Sequence, residues 1–251
     1  PFPVEGAEQA TMDALEAAFT AGETAAFIVE PLVLGAGGML MYPPETLREM
    51  HAICARHGVL FIADEVMTGW GRTGTLTASE QAGVVPDIMC LAKGLTGGSM
   101  PLAVTMASAP IYDAHFSTDR ARMFFHSSSF TANPIACAAA NANLAIWREE
   151  PVLERIAALT TRNGEGIQTL AKKHGLANVR QCGTIVAADV PVGDAGYLAE
   201  LGPRMREGFY ARDILLRPLG NTIYLMPPYS ITEGQLDRVF SAVDEVLSDL
   251  V

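Results

Sequence analysis

Residues 43–65 read PPETLREMHAICARHGVLFIADE, and the change of period inside this stretch decides the fold. Prolines at the start, Glu45 in the first turn, apolar residues at helical spacing and a closing Gly58 predict a helix over 43–58. VLFIADE, 59–65, is then a continuous apolar run of strand length. The same style recurs in AAFIVEPL (25–32), PDIMCLA (86–92) and LAVTMAS (102–108), with a helical pattern over 7–20. Strands that are apolar on both faces and separated by helices mark a parallel sheet covered on two sides. Residues 1–150 therefore read as a doubly wound α/β domain.

From about residue 133 the pattern turns helical, with Asn133-Pro134 as a helix start and a longer helix running to His174. Short strands are expected near 178–190, 214–217 and 222–226, a helix within 194–211 and a last helix from 232. Residues 151–251 thus read as a smaller α+β domain.

The 251 residues are 49% hydrophobic and 18% charged, enough to bury a sizeable core. A net charge of −11 argues against nucleic acid and against an anionic membrane surface, both of which need a clustered basic face. No window approaches a membrane span and no leader with a cleavage site is read. Four scattered cysteines without C-x-x-C suggest reduced core residues and a cytoplasmic protein. His51, Cys54 and His57 could share a helix face, but a histidine before a capping glycine is the ordinary complement to the helix dipole. No metal site is expected there. The start at Pro1, without a methionine, predicts a piece of something longer.

Two residues draw attention to the sheet. Asp64 ends one apolar strand and Lys93 follows the next, so both project at carboxyl ends of parallel strands, where open α/β sheets bind ligands. The simplest reading is a plain Asp64–Lys93 ion pair. A partly desolvated lysine in that setting has a readily depressed pKa and suits chemistry.

The wider pattern resembles the class III aminotransferases, pyridoxal-phosphate enzymes of fold type I. ADEVMTGWGRTG (63–74), Lys93 at 29 positions after Asp64, and HSSSFTANP (126–134) carry the resemblance. It extends from FIVEPLVLGAGGM (27–39) to LRPLGNTIYLMPPY (216–229). The resemblance implies that Lys93 condenses with the cofactor aldehyde and then shuttles protons. It implies that Asp64 pairs with the pyridinium nitrogen, that Val66, two residues on and alternating to the same side of the strand, presses on the ring face and that the Ser129 hydroxyl bonds the phosphate. Serine stands at 129 where the family more usually has threonine. Core packing is the bland alternative for Val66, and a Ser/Thr-rich loop before a helix is the alternative for Ser129. Thr96 is a weaker polar candidate, and Glu30 reads as a structural carboxylate. Gly35, Ala36, Gly37 and Gly38 occupy the region where ornithine- or 4-aminobutyrate-handling members carry a gating glutamate.

Within the class, LLRPLGNTIYLMPPY, LAKGLTGG, CAAANANLAIW and GAGGMLMY are similar to the biotin-pathway branch. That likeness implies 8-amino-7-oxononanoate as amino acceptor, S-adenosylmethionine (in some relatives lysine) as donor, and a homodimer with shared sites. It also implies that Arg217 receives the acceptor's carboxylate, as a planar guanidinium does well. A surface ion pair is the alternative for Arg217. Relative to the family, the amino-terminal region with its phosphate loop and pocket aromatics is absent, so residues 1–251 alone are expected to be poorly folded or inactive. A broad ω-amino-acid or diamine aminotransferase is the second reading, and a catalytically dead subunit of the same fold a third. A nicotinamide dehydrogenase ranks last, because no G-x-G-x-x-G is read after any strand.

Overall fold

A computed structural model describes residues 1–3, 6–126, 128–191 and 201–250. By its internal contacts the chain divides into two units. One comprises residues 1–32, 42–70 and 75–150; the other comprises 33–41, 71–74 and 151–251. Residues 33–41 and 71–74 were expected in the first 150-residue domain and cluster instead with the carboxyl-terminal unit.

In the first unit, α1 (Glu8–Thr20) precedes β1 (Ala26–Val29). The hairpin strands β2 (Val33–Leu34) and β3 (Leu40–Met41) follow, belonging to the second unit. Then come α2 (Pro44–His57), β4 (Leu60–Asp64), α3 (Ala78–Ala82) and β5 (Ile88–Leu91). A single 3-10 turn (Lys93–Thr96) leads to β6 (Val104–Ala107), α4 (Ala109–His115), a second 3-10 turn (Arg120–Arg122) and α5 (Pro134–Glu149). Helix α2 ends as its sequence dictates: Gly58 adopts φ +65°, and its N–H bonds back to Ala55. His57 sits 2.6 Å from the Glu16 carboxylate of α1. Asn133 caps α5 by accepting from the Ile135 and Ala136 amides, with Pro134 at the first helical position.

The sheet order is β1-β4-β5-β6. The β1–β4 and β4–β5 pairs are parallel, whereas β6 runs antiparallel to β5. The sheet is thus mostly parallel, as expected, with one antiparallel edge strand although LAVTMAS reads in the same style as its neighbours. Residues 92–103 hold only a 3-10 turn, too little chain for the helical crossover that parallel neighbours need. Cover is also less complete than expected: α2 packs on β4, but edge strand β6 is exposed along all four residues.

The second unit contains α6 (Val152–His174), β7 (Ala177–Cys182), β8 (Ile185–Asp189), α7 (Leu201–Tyr210), β9 (Thr222–Leu225) and α8 (Glu233–Leu250). The part of the expected 194–211 helix before Leu201 lies outside the described residues. The strands form one antiparallel sheet, β7-β8-β9. Ile167, Val186, Met205, Phe209, Ile223 and Val243 bury a common core between that sheet and the helices. No strand forms over 214–217. Pro218 lacks the donor a ladder would need, Leu215 faces solvent and Leu216 is buried, so the segment packs without pairing.

Asp189 ties this unit's strands to its hairpin. It accepts from Arg180 (2.9 Å), Asn178 (3.0 Å) and Thr222 (2.8 Å), while Arg180 also donates to the Gly38 and Met39 carbonyls. Burial acts to raise the Asp189 pKa, but the bonds from Arg180, Asn178 and Thr222 override it and hold the carboxyl below its usual range. A lowered native value means stability that is present above the ordinary carboxylate range, near pH 4, and lost as pH falls through the native pKa. Asp189→Asn is therefore expected to lower Tm at pH 7 and to flatten the fall of Tm between about pH 5 and 2.5. Thermal unfolding of both proteins across that range measures it; parallel curves would refute the assignment.

Candidate active site

Asp64 is the last residue of β4 and stands in register with Cys90 of β5. Because the two strands are parallel and neighbours lie about 4.8 Å apart, Asp64 and Lys93 share one carboxyl-terminal edge. Asp64 is half-buried, and its Oδ1 accepts the Val66 amide at 3.1 Å. Lys93 opens the 3-10 turn with φ +44°, a left-handed conformation that costs a non-glycine residue about 1–3 kcal/mol.

The turn is held from several sides. Leu95 N–H bonds Ala92 O, Gly97 N–H bonds Gly94 O and Gly98 N–H bonds Lys93 O. Gly94 lies directly on Trp70: a Cβ there would sit 2.6 Å from the Trp70 Cβ. Trp70, Leu95 and Ala140 form a small buried cluster, with Trp147 edge-on to Trp70 at 5.8 Å. The Thr96 hydroxyl donates to Met100 O at 2.6 Å, so this polar candidate closes the turn.

Three expectations change here. Lys93 is exposed rather than partly desolvated: β5 ends at Leu91, and the lysine stands two residues beyond it in the 3-10 turn. Among the described residues no ion pair joins it to Asp64, so the plain Asp–Lys pair is set aside. Val66 does not alternate with Asp64 along a strand; β4 has ended, and Val66 stands half-buried in the following turn.

Glu65 was not singled out by sequence, yet it is the most buried charge at this edge. Fully enclosed, its carboxylate accepts from Thr68 Oγ1 (2.6 Å), Ala78 N (3.1 Å), Ser79 N (2.8 Å) and Ser79 Oγ (2.8 Å). A carboxylate on the first amides of a helix is favoured by both hydrogen bonding and the dipole. The signal available was an acidic pair after a buried strand, followed by the hydroxyl-rich TLTAS. Glycines at 69, 71 and 74 do have the G-x-G-x-x-G spacing after β4, contrary to expectation. However, α3 starts only at Ala78, and its leading amides are taken up by Glu65, so no phosphate cradle forms there.

HSSSF falls partly outside the described residues, at Ser127. Ser129 is exposed in the turn before α5, and its neighbour Ser128 closes that turn by accepting the Phe130 amide. Ser129 is thus left to face solvent.

Arg217 belongs to the second unit, exposed in the segment before β9 and bordering a groove with Asp213, Tyr224 and Pro228. Arg72, in the same unit, was overlooked because it reads as one more glycine-loop residue. Its Nη1 donates to Pro227 O at 2.6 Å, and its guanidinium lies 4.7 Å from the Tyr229 ring centroid. Burial lowers the Arg72 pKa and pushes the Tyr229 phenol up to about 12. Among the described residues no carboxylate pairs with Arg72.

A lysine and a carboxylate at adjacent ends of parallel strands, with a hydroxyl loop before the next helix, define a class of protein. The class-III aminotransferase family model matches residues 3–247, and the chain belongs to that family. It is 43% identical over 247 residues to the adenosylmethionine-8-amino-7-oxononanoate aminotransferase of Synechococcus elongatus, covering 98% of this chain and 58% of that protein. The crystal structure of the corresponding enzyme from Methanocaldococcus jannaschii superposes with TM-score 0.88 at 31% identity, covering 95% of this chain and 57% of that one. An amine transaminase from an uncultivated Pseudomonas species, in its PLP-bound form, gives TM-score 0.87 at 33% identity over 96% of this chain and 56% of its own. The chain thus spans little more than half the length of these relatives, and its fold is fold type I.

The family's cofactor is pyridoxal 5′-phosphate. The donor set fits it: a carboxylate for a ring nitrogen at the end of β4, a primary amine for an aldehyde at the end of β5, and an exposed hydroxyl for a phosphate before α5. No described helix is long and apolar enough to cross a membrane.

Proposed function

We propose that the protein containing this chain transfers an amino group to 8-amino-7-oxononanoate, giving 7,8-diaminononanoate for biotin biosynthesis, with S-adenosylmethionine as donor. The observation that carries this reading is the likeness to the Synechococcus enzyme over 98% of the chain, with Lys93 and Asp64 at neighbouring strand ends. When bound, pyridoxal phosphate supplies an electron sink for the carbon that loses its proton. Lys93 would hold the cofactor through Nζ and, once free, would carry the substrate's proton as general base and then general acid. Its exposure at the sheet edge lets a substrate amine reach and replace it. Asp64 would hold the ring nitrogen and favour its protonated form by its charge, and the bond from the Val66 amide fixes the carboxylate's orientation. Val66 supports the ring, and Ser129 donates to the phosphate. Arg217 binds the acceptor's carboxylate. The assembly is a cytoplasmic homodimer.

A second reading, an amine transaminase of broad range, is favoured by the likeness to the Pseudomonas enzyme. Kinetics on the complete protein separate the two. With S-adenosylmethionine as donor, kcat/KM for 8-amino-7-oxononanoate is expected to exceed that for pyruvate by about 100-fold or more, because a site built for a distal carboxylate rejects acceptors lacking it. Equal values would favour the amine transaminase. Lysine in place of S-adenosylmethionine tests the donor, and no turnover with any pair would mark a dead subunit.

A further inference from the structure

We propose that Asn143 is a positioning residue for Lys93. The proposal rests on the reading of Lys93 as the cofactor-binding lysine and adds a residue to its support. From the middle of α5, Asn143 Nδ2 donates to Gly94 O at 2.9 Å and to Leu95 O at 3.2 Å. These are the carbonyls of the two residues that follow Lys93. In a single 3-10 turn the backbone satisfies few carbonyls: Gly94 O also accepts the Gly97 amide, while Leu95 O has Asn143 as its donor.

The position of this bond matters because of the lysine's backbone. A lysine at φ +44° keeps that conformation only where its surroundings over-determine it. On one side Trp70 packs directly against Gly94; on the other, Asn143 grips the carbonyls of Gly94 and Leu95. The fit continues one residue further, where a Cβ on Gly97 would lie 3.4 Å from Asn143 Oδ1. Asparagine is a poor choice for a helix interior on propensity alone, so its place in α5 is explained by what its amide holds. Helix α5 also begins five residues after Ser129, so one rigid rod carries the Ser129 loop at its start and the clamp on the Lys93 turn about 15 Å along its axis.

The test uses the complete protein, stripped of cofactor and then given pyridoxal phosphate. The readouts are the rate at which the visible band of lysine-bound cofactor grows, the pH midpoint of that band, and the apoprotein's Tm. Asn143→Leu keeps the size and removes the donor; Asn143→Asp replaces the donor by an acceptor facing two carbonyls. Both are expected to slow band growth about 10-fold or more and to move its pH midpoint, since a displacement near 1 Å at a reacting group costs up to about 100-fold. Asn143→Gln, which retains the amide, should recover most of the rate. A merely structural role would lower Tm but leave rate and midpoint at wild-type values, and that result overturns the proposal. If the Leu and Asp variants do not fold, Asn143→Ser is read by the same two numbers, with the same overturning result. A wild-type protein whose band is absent, or persists in Lys93→Ala, would instead refute the reading of Lys93.

Discussion

Lys93→Ala in the complete holoprotein is expected to lower kcat by more than about 10⁴-fold and to abolish the visible band of lysine-bound cofactor. On the proposed reading two functions vanish with one amine: the covalent attachment point and the proton shuttle, the second alone being worth about 10²–10⁴-fold. The fold should survive. Lys93 is exposed and makes no side-chain hydrogen bond among the described residues, so Tm is expected to change by only a few degrees. Lys93→Arg sharpens the test, because a guanidinium stays protonated and cannot act as the nucleophile. It should be as inactive as alanine. Activity above about 1% of wild type in Lys93→Arg would sink the assignment of the shuttle.

Glu65→Ala is expected to destabilise the protein by about 3–5 kcal/mol, read from denaturant unfolding. The carboxylate is fully buried and serves two backbone amides and two hydroxyls. Removing it strands the Ala78 and Ser79 amides, at about 1–3 kcal/mol for each buried donor left unpaired. The hydroxyls can turn to other acceptors and contribute less. Glu65→Gln keeps one carbonyl oxygen and should lose about half as much. Since Glu65 adjoins Asp64, both variants should also bind pyridoxal phosphate more weakly. A Glu65→Ala protein within about 1 kcal/mol of wild type would show that the network is redundant.

Much of this was legible in sequence where local rules and burial agree. Helix α2 shows proline entry, apolar period and Gly58 exit, and it spans Pro44–His57 as those signals dictate. The continuous run before Asp64 became β4 and placed the carboxylate at its end. The direction of β6 was not legible, because LAVTMAS looks the same whichever way it pairs and only the length of its connection decides. Glu65 was hidden for a different reason: its partners lie 3–14 residues downstream, in a loop with no periodic pattern.

The sequence by itself determined which residues are candidates for chemistry. A lysine and an aspartate at the ends of apolar strands, and a hydroxyl loop before a proline-started helix, are local facts of residue type and spacing. Only the tertiary structure decided how those residues are held: Lys93 in a left-handed turn between Trp70 and Asn143, and Asp64 beside a buried Glu65 that caps α3. The physical reason is range. Strand and helix propensities act over a few residues, whereas the wedge at Gly94 and the clamp from Asn143 join groups 24 and 49 residues apart, and no local period records them.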